Sequence, residues 1–318
     1  MLEEKREQRM IAKKIKVMNN SFTSVSKMSQ NNFGIVSVQV EDHVFFMGMG
    51  KYVKVYMIKP GVLSAEKRSW LTKLLIEKQF HRFRITCVNK EVEGGARGQF
   101  LFLSVTVEAE DYYNANQQFE ETEKVIKEIE THGIDVKQTP VEEVLSYCRY
   151  NYTEDQVSMT TESVLKEDWM KLIFDSENSK RKKRLAFIGF DYPLEMESIR
   201  DALISYSKEV MVAVDILPLN DEAVDSYEKY LKGRYNHEIQ KEGEIYCNIT
   251  YGVYITTSME EAAQIKEKFL NDFYNRKIIF FHEKQADDFK YMNSCTMGLW
   301  DYHKNKIVNA DIVPNLLL

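Results

Sequence analysis

From Phe33 onward the chain alternates hydrophobic and polar positions. FGIVSVQVEDHVFFMGMG alternates and then runs apolar, and GKYVKVYMIKP places Val53, Val55 and Met57 at every second position, so both predict β-strands. The period then lengthens. Ser64 is a good N-cap with Glu66 in the first turn, and Trp70, Leu71, Leu74 and Leu75 share one helical face. Two β-rich segments follow, FRITCVNKEVE and QFLFLSVTVEAE, separated by GGARG. Asp111 to Glu130 predicts a second helix, with Phe119, Val125, Ile126 and Ile129 inward and an acidic outer face. Gly133 marks its stop and IDVKQ a short strand, after which Thr139 and Pro140 open a last helix, VEEVLSYCRY.

The second half repeats this grammar. RLAFIGF predicts a strand, Pro193 to Lys208 a helix, and VMVAVDILPLN a strand ending at Pro218. An inserted helix is expected over Asp221 to Gly233. EIYCNITYGVYITTS then alternates as a long strand, Glu260 to Asn275 forms a helix on Ile265, Phe269 and Phe273, and RKIIFFHEK closes the half. FLFLSVTVEAEDYYNANQQFEETEKVI and YGVYITTSMEEAAQIKEKFLNDF correspond in order: strand, acidic cap, small residues, amphipathic helix. Each leads into a short strand and a final helix, VEEVLSYC in one half and ADDFKYMNS in the other. Each half therefore reads β-α-β-β-α-β, which predicts an α+β protein of two tandem ferredoxin-like (split β-α-β) units with antiparallel sheets, related by internal duplication. In such a unit two helices cover one sheet face, and the other face must be covered or used for binding. The boundaries are a flexible leader over 1–32, a first unit over 33–150, a linker over 151–184 and a second unit over 185–318. The linker holds a short helix around Trp169 to Phe174 and the basic run SENSKRKKR.

Composition changes this picture little. Hydrophobic residues make up 44% and charged residues 29% of the 318, which is ordinary for a globular protein of two domains. A net charge of -6 asks for no nucleic-acid or acidic partner. Cys87, Cys148, Cys247 and Cys295 lie far apart in or beside apolar stretches and read as buried, reduced thiols. The N-terminus, MLEEKREQRMIAKKIKVMNN, is too charged for a signal peptide, and no apolar run approaches the roughly 20 residues of a membrane span. The protein is expected in the cytoplasm, peripheral at the inner face of the membrane only through partners.

Candidate chemistry is sparse. No GxxxxGK[ST] loop is present; Gly48-Met49-Gly50-Lys51 lacks its spacing and reads as a hairpin turn. The six histidines stand apart, no pair having the i, i+4 spacing that presents two imidazoles to a metal. No nucleophile elbow occurs. No catalytic residue, cofactor site or metal site is therefore expected. The helical carboxylates, among them Glu120, Glu121, Glu123, Glu128 and Glu130, read as solvated faces. Two basic features remain as candidate interaction residues: the run Lys180, Arg181, Lys182, Lys183 and Arg184, and Arg97 in its glycine-rich loop, where it could meet an anion. Tyr246, Tyr251 and Tyr254 could stack on bases, but they lack the basic and glycine companions of an RNA-recognition sheet, so sheet packing is preferred.

The arrangement resembles the N-terminal, non-motor region of the VirB-type conjugation ATPases of bacterial type IV secretion, particularly those of Gram-positive conjugative elements. GKYVKVYMIKPGVLSAEKRSWLTKLL, FRITCV and FLFLSVTVEAEDYYNANQQFEETEKVI carry the resemblance in the first half. VMVAVDILPLNDEAVDSYEKYL, YGVYITTSMEEAAQIKEKF and KIVNADIVPN carry it in the second. In that family a strand ending in Asp and Pro precedes the helix, as Asp215 and Pro218 do here, and a Walker A motor follows the segment matching DIVPN. None of the family's nucleotide-binding residues has a counterpart in these 318 residues. The resemblance implies a non-catalytic component, acting in assembly or docking with the motor ATPase or inner-membrane subunits, with self-association a further option. A nucleic-acid-binding module using an open sheet face and the basic linker is the alternative, and nucleic acid is the less expected partner.

Overall fold

The computed structural model describes residues 35–59, 63–78, 81–91, 97–152, 160–165, 183–189, 202–219, 245–275, 280–282 and 306–316, with positions 9, 13, 23, 24, 222, 225, 226 and 229 besides. Among these, twelve strands form one antiparallel sheet. In chain order they are β1 (Thr23–Ser24), β2 (Ser37–Gln39), β3 (Val44–Phe46), β4 (Lys51–Ile58), β5 (Phe83–Glu91), β6 (Arg97–Glu108), β7 (Val136–Gln138), β8 (Lys183–Gly189), β9 (Glu209–Pro218), β10 (Tyr246–Thr257), β11 (Phe280–His282) and β12 (Lys306–Asn309). Five α-helices accompany them: α1 (Ala65–Glu77), α2 (Tyr112–Thr131), α3 (Val141–Tyr152), α4 (Thr161–Leu165) and α5 (Ala262–Asn275), and a 3-10 helix follows over Ala310–Leu316. The fold class is α+β.

The helix boundaries follow local chemistry. Ser64 Oγ accepts from Lys67 N at 3.2 Å to start α1, and the Asp111 carboxylate accepts from Asn114 N at 2.9 Å to start α2. Gly133, at φ +75°, ends α2: its N–H donates to Glu130 O and that of Ile134 to Ile129 O, the paired bonds of a Schellman stop. Pro140 O then accepts from Glu143 N and Val144 N as α3 begins.

Along the sheet the order is β1-β2-β3-β4-β6-β5-β9-β10-β8-β11, with β7 paired to β4 and β12 to β10. The strands of the first half thus run β7-β4-β6-β5 and those of the second β11-β8-β10-β9. The halves do not carry separate sheets. β5 pairs with β9 antiparallel over eight positions, from Phe83↔Ile216 to Lys90↔Glu209.

One face of this sheet is buried under α1, α2, α5 and residues 202–204. Its core runs without interruption from Tyr56 and Ile58 through Phe83, Ile85, Leu103 and Val105 to Val212, Val214, Val253 and Ile255, with Phe269 and Phe273 of α5 above. The 3-10 helix returns onto α1 there, and Lys73 Nζ lies 2.7 Å from Asp311 Oδ1. On the opposite face, Val53, Val55, Val88, Phe102, Met211, Ala213 and Tyr254 pack with Val38, Phe45, and Val141, Val144 and Leu145 of α3. The face that had to be covered or used is covered over these positions.

Three expectations change in detail. Thr23 and Ser24, within the expected flexible leader over 1–32, form β1, which pairs with β2 at the sheet edge. β8 begins at Lys183, inside the basic run read as linker. Glu123 is not wholly solvated: its side chain is 39% exposed, and its Oε1 accepts from Tyr56 OH at 2.8 Å and Lys54 Nζ at 3.3 Å, tying α2 to β4. The expected helices around Trp169 to Phe174 and over ADDFKYMNS lie outside the described residues, as does most of the inserted helix over Asp221 to Gly233. Of that helix, Glu222, Asp225, Ser226 and Lys229 are described, and they are helical and exposed.

Candidate interaction site at the seam

Two features mark the β5–β9 seam. Near the start of β5, Arg84 and Asp215 are direct cross-strand partners. Arg84 Nε donates to Asp215 Oδ1 at 2.9 Å and its second terminal nitrogen donates to Oδ2, so guanidinium and carboxylate meet as a fork. The side chains are 0% and 8% exposed. In such a setting neither charge can recover its hydration, and each depends on the other. Ser104 flanks Arg84 on β6 and Thr250 flanks Asp215 on β10, forming a buried polar row across four strands.

At the end of the same seam an open cleft of about 720 Å³ is lined by Lys90 and Glu91 of β5, residues 205–209 leading into β9, residues 256–258 closing β10, and the first turns of α5. Its volume lies within the usual range of ligand sites. Its carboxylates are held internally. Glu209 Oε1 accepts from Thr256 Oγ1 at 3.2 Å, and Glu261 Oε2 accepts from Ser258 Oγ at 3.1 Å and Thr257 Oγ1 at 3.4 Å. Ser258 Oγ accepts in turn from Glu261 N at 3.3 Å, fixing the approach to α5. Tyr206 OH donates to Asp272 Oδ2 at 2.5 Å, which places its ring as a wall, with Lys268 Nζ 5.2 Å from the ring centre. Lys208 Nζ lies 3.8 Å from Glu91 Oε2 and remains 86% exposed, so that pair is a weak tie.

The chain matches no family model and no curated protein. What the site does must therefore be argued from its own residues.

The two basic features of the sequence converge here. Arg97 is the Cα partner of Glu91, while Lys183 and Arg184 are the Cα partners of Thr257 and Thr256. Features 86 residues apart in sequence thus come to one end of the sheet, one strand beyond the cleft on each side. Lys180, Arg181 and Lys182 lie outside the described residues, and at Arg97, Lys183 and Arg184 the described part is the backbone.

Other candidates resolve differently. Tyr246, Tyr251 and Tyr254 are buried at 9%, 4% and 2% exposure, so they pack in the sheet and present no stacking surface. Cys87 and Cys247 are buried thiols, and burial pushes the Cys247 thiol up to about 12, far from a nucleophile's range. The Cys148 side chain and Cys295 lie outside the described residues. His132 stacks on Trp70 with ring centres 3.7 Å apart. Among the described residues, no group of three or more His, Cys, Asp or Glu side chains is arranged to hold a metal ion. Nor is any described helix long and apolar enough to cross a membrane.

The seam was hidden from sequence reasoning because its parts are far apart. Arg84 and Asp215 are separated by 131 residues. A usable signal did exist: each is the one charged residue in a mostly apolar run of strand, FRITCV and VMVAVDILP. Two such strands, each with a single charge of opposite sign, are candidates for each other's neighbour.

Proposed function

We propose that this chain is a non-catalytic component of a conjugative type IV secretion system, acting in assembly or in docking to the motor ATPase or inner-membrane subunits. We further propose that its halves are tandem ferredoxin-like units that arose by internal duplication. Support for the duplication comes from the strand order, β7-β4-β6-β5 against β11-β8-β10-β9, in which corresponding strands occupy corresponding places. The docking role rests on the resemblance, and one observation carries it furthest. Two of the segments that carry that resemblance, FRITCV and VMVAVDILPLN, form the strands that fuse the halves. A sheet continuous across both halves makes a stiff platform, the property a docking component needs. The protein would then work at the cytoplasmic face of the membrane, held there by its partners.

The test is co-purification. Tagged protein, expressed with a conjugation motor ATPase and the small inner-membrane subunits encoded beside it, should capture one or both. Capture of neither would sink the proposal. The nucleic-acid alternative gains no support from the sheet face, since its three tyrosines are buried.

A further inference from the structure

We infer that two copies of this chain associate through the outer flank of α5, the two helices lying antiparallel across a two-fold axis. The inference goes beyond the docking role proposed above and does not rest on it. Three observations lead to it.

The first is where exposed apolar groups lie. Four large hydrophobic side chains stand exposed among the described residues, and two of them, Met259 at 59% and Tyr274 at 74%, bracket α5. Ser258 Oγ accepts from Glu261 N, so Met259 already belongs to the turn that opens the helix. At 3.6 residues per turn Met259, Ala263, Lys266, Glu267, Leu270 and Tyr274 share one flank. Phe269 and Phe273 face the sheet, and Gln264 and Lys268 fall on the other flank, where they line the cleft. The first flank therefore faces away from the seam. α5 packs on β8 and β11, the last two strands in the sheet order.

The second is the contrast with α2, which follows β6 as α5 follows β10. The exposed positions of α2 include Glu120, Glu121, Lys124, Lys127 and Glu128, and Lys124 Nζ lies 2.6 Å from Glu121 Oε1. That is a solvated surface. Of the six positions on the α5 flank two are charged, and Met and Tyr are residues that interface centres collect while Glu and Lys are depleted there.

The third is self-complementarity. When the flank is turned antiparallel about a point midway between Lys266 and Glu267, Met259 meets Tyr274 of the second copy, Ala263 meets Leu270, and Lys266 meets Glu267. A thioether lies against a ring, a small side chain against a large one and an ammonium against a carboxylate, each contact made twice. Among the described residues neither Lys266 nor Glu267 has an ion-pair partner of its own. A parallel pair would set Lys266 on Lys266 and Glu267 on Glu267. One helix pair buries less than the roughly 1,600 Å² of a standard interface, so the dimer is weak, with a Kd on the order of 100 µM.

The experiment is sedimentation equilibrium of the full chain at low salt, from about 10 to 500 µM, where a monomer–dimer equilibrium is expected. Lys266→Glu sets carboxylate against carboxylate and Glu267→Lys sets ammonium against ammonium, twice in each dimer. Each variant alone should dimerise about tenfold more weakly. Mixed in equal amounts, the two variants face opposite charges again, and a heterodimer should form at wild-type strength. A loss caused by misfolding would not be repaired by mixing. Lys124→Glu, on the outer face of α2, should associate like the wild type. A wild-type chain that stays monomeric over the whole range would overturn the inference. So would a mixture no stronger than its components, or equal weakening by Lys124→Glu, since the association would then use another surface or answer to net charge alone.

Discussion

At the residue scale the telling groups are two buried phenols, each donating to a carboxylate that still reaches solvent. Tyr56 is fully buried, and its hydroxyl donates to Glu123; Tyr112 is nearly so and donates to Asp42 Oδ2 at 2.6 Å. Burial, followed by the neighbouring carboxylate, raises both phenols well above their ordinary value of about 10. The consequence for stability has a definite sign. Below about pH 10 both phenols are neutral whether the chain is folded or unfolded, so their contribution is fully present. As pH rises above about 10 the unfolded chain ionises first, and stability is lost until the folded values are reached. The urea midpoint should therefore hold up to about pH 10 and fall progressively above it. In Tyr56→Phe/Tyr112→Phe that fall should be shallower, at the cost of lower stability at neutral pH. An equally steep fall in the double variant would show that other groups set the alkaline limit.

At the element scale, much of the architecture was legible in the sequence because its signals are local. Ser64, Asp111, Gly133 and Pro140 delimit helices through atoms within a few residues of one another, and period-two patterns in β4, β6 and β10 mark strands, whose two faces are both buried in the fold. The Gly48-Met49-Gly50 turn is equally local. All three residues have positive φ, between +51° and +80°, and Met47 N donates to Lys51 O at 2.9 Å to close the β3–β4 hairpin. The two glycines are not equivalent. A Cβ on Gly50 would lie 2.6 Å from Ala109 O, a backbone atom fixed by the bond from Ala109 N to Gly50 O. On Gly48 it would lie 3.2 Å from Val36 Cγ2, a side-chain atom with room to shift. Gly50→Ala should thus cost at least about 1–2 kcal/mol and Gly48→Ala clearly less, since strain in φ adds to a backbone clash in the first. Urea denaturation of the two variants checks the order. Elements defined by partners far away were less legible: nothing within β5 says that its free edge will be taken by β9.

At the scale of the whole molecule, that pairing decides how the halves behave. A short linker joining two independent units would allow each to unfold by itself, as domains with modest interfaces do. Here eight cross-strand pairs and an apolar face common to both halves join them, with Arg84 and Asp215 the second pair of the eight. The described core should therefore melt as one unit, giving a single transition with calorimetric and van't Hoff enthalpies that agree. Removing one member of the buried pair tests the coupling directly. Arg84→Ala leaves the Asp215 carboxylate without its guanidinium, a change that costs about 3–5 kcal/mol when a buried charge loses its partner. Because that loss falls on the seam, the variant should also separate into two transitions, one for each half. Arg84→Met/Asp215→Leu removes both charges and should regain most of the stability and the single transition, since apolar replacements satisfy a buried row that a lone charge cannot. If Arg84→Ala instead melts in one step close to the wild-type temperature, the pair is not what holds the halves together. The apolar face beneath it would then have to carry the coupling alone.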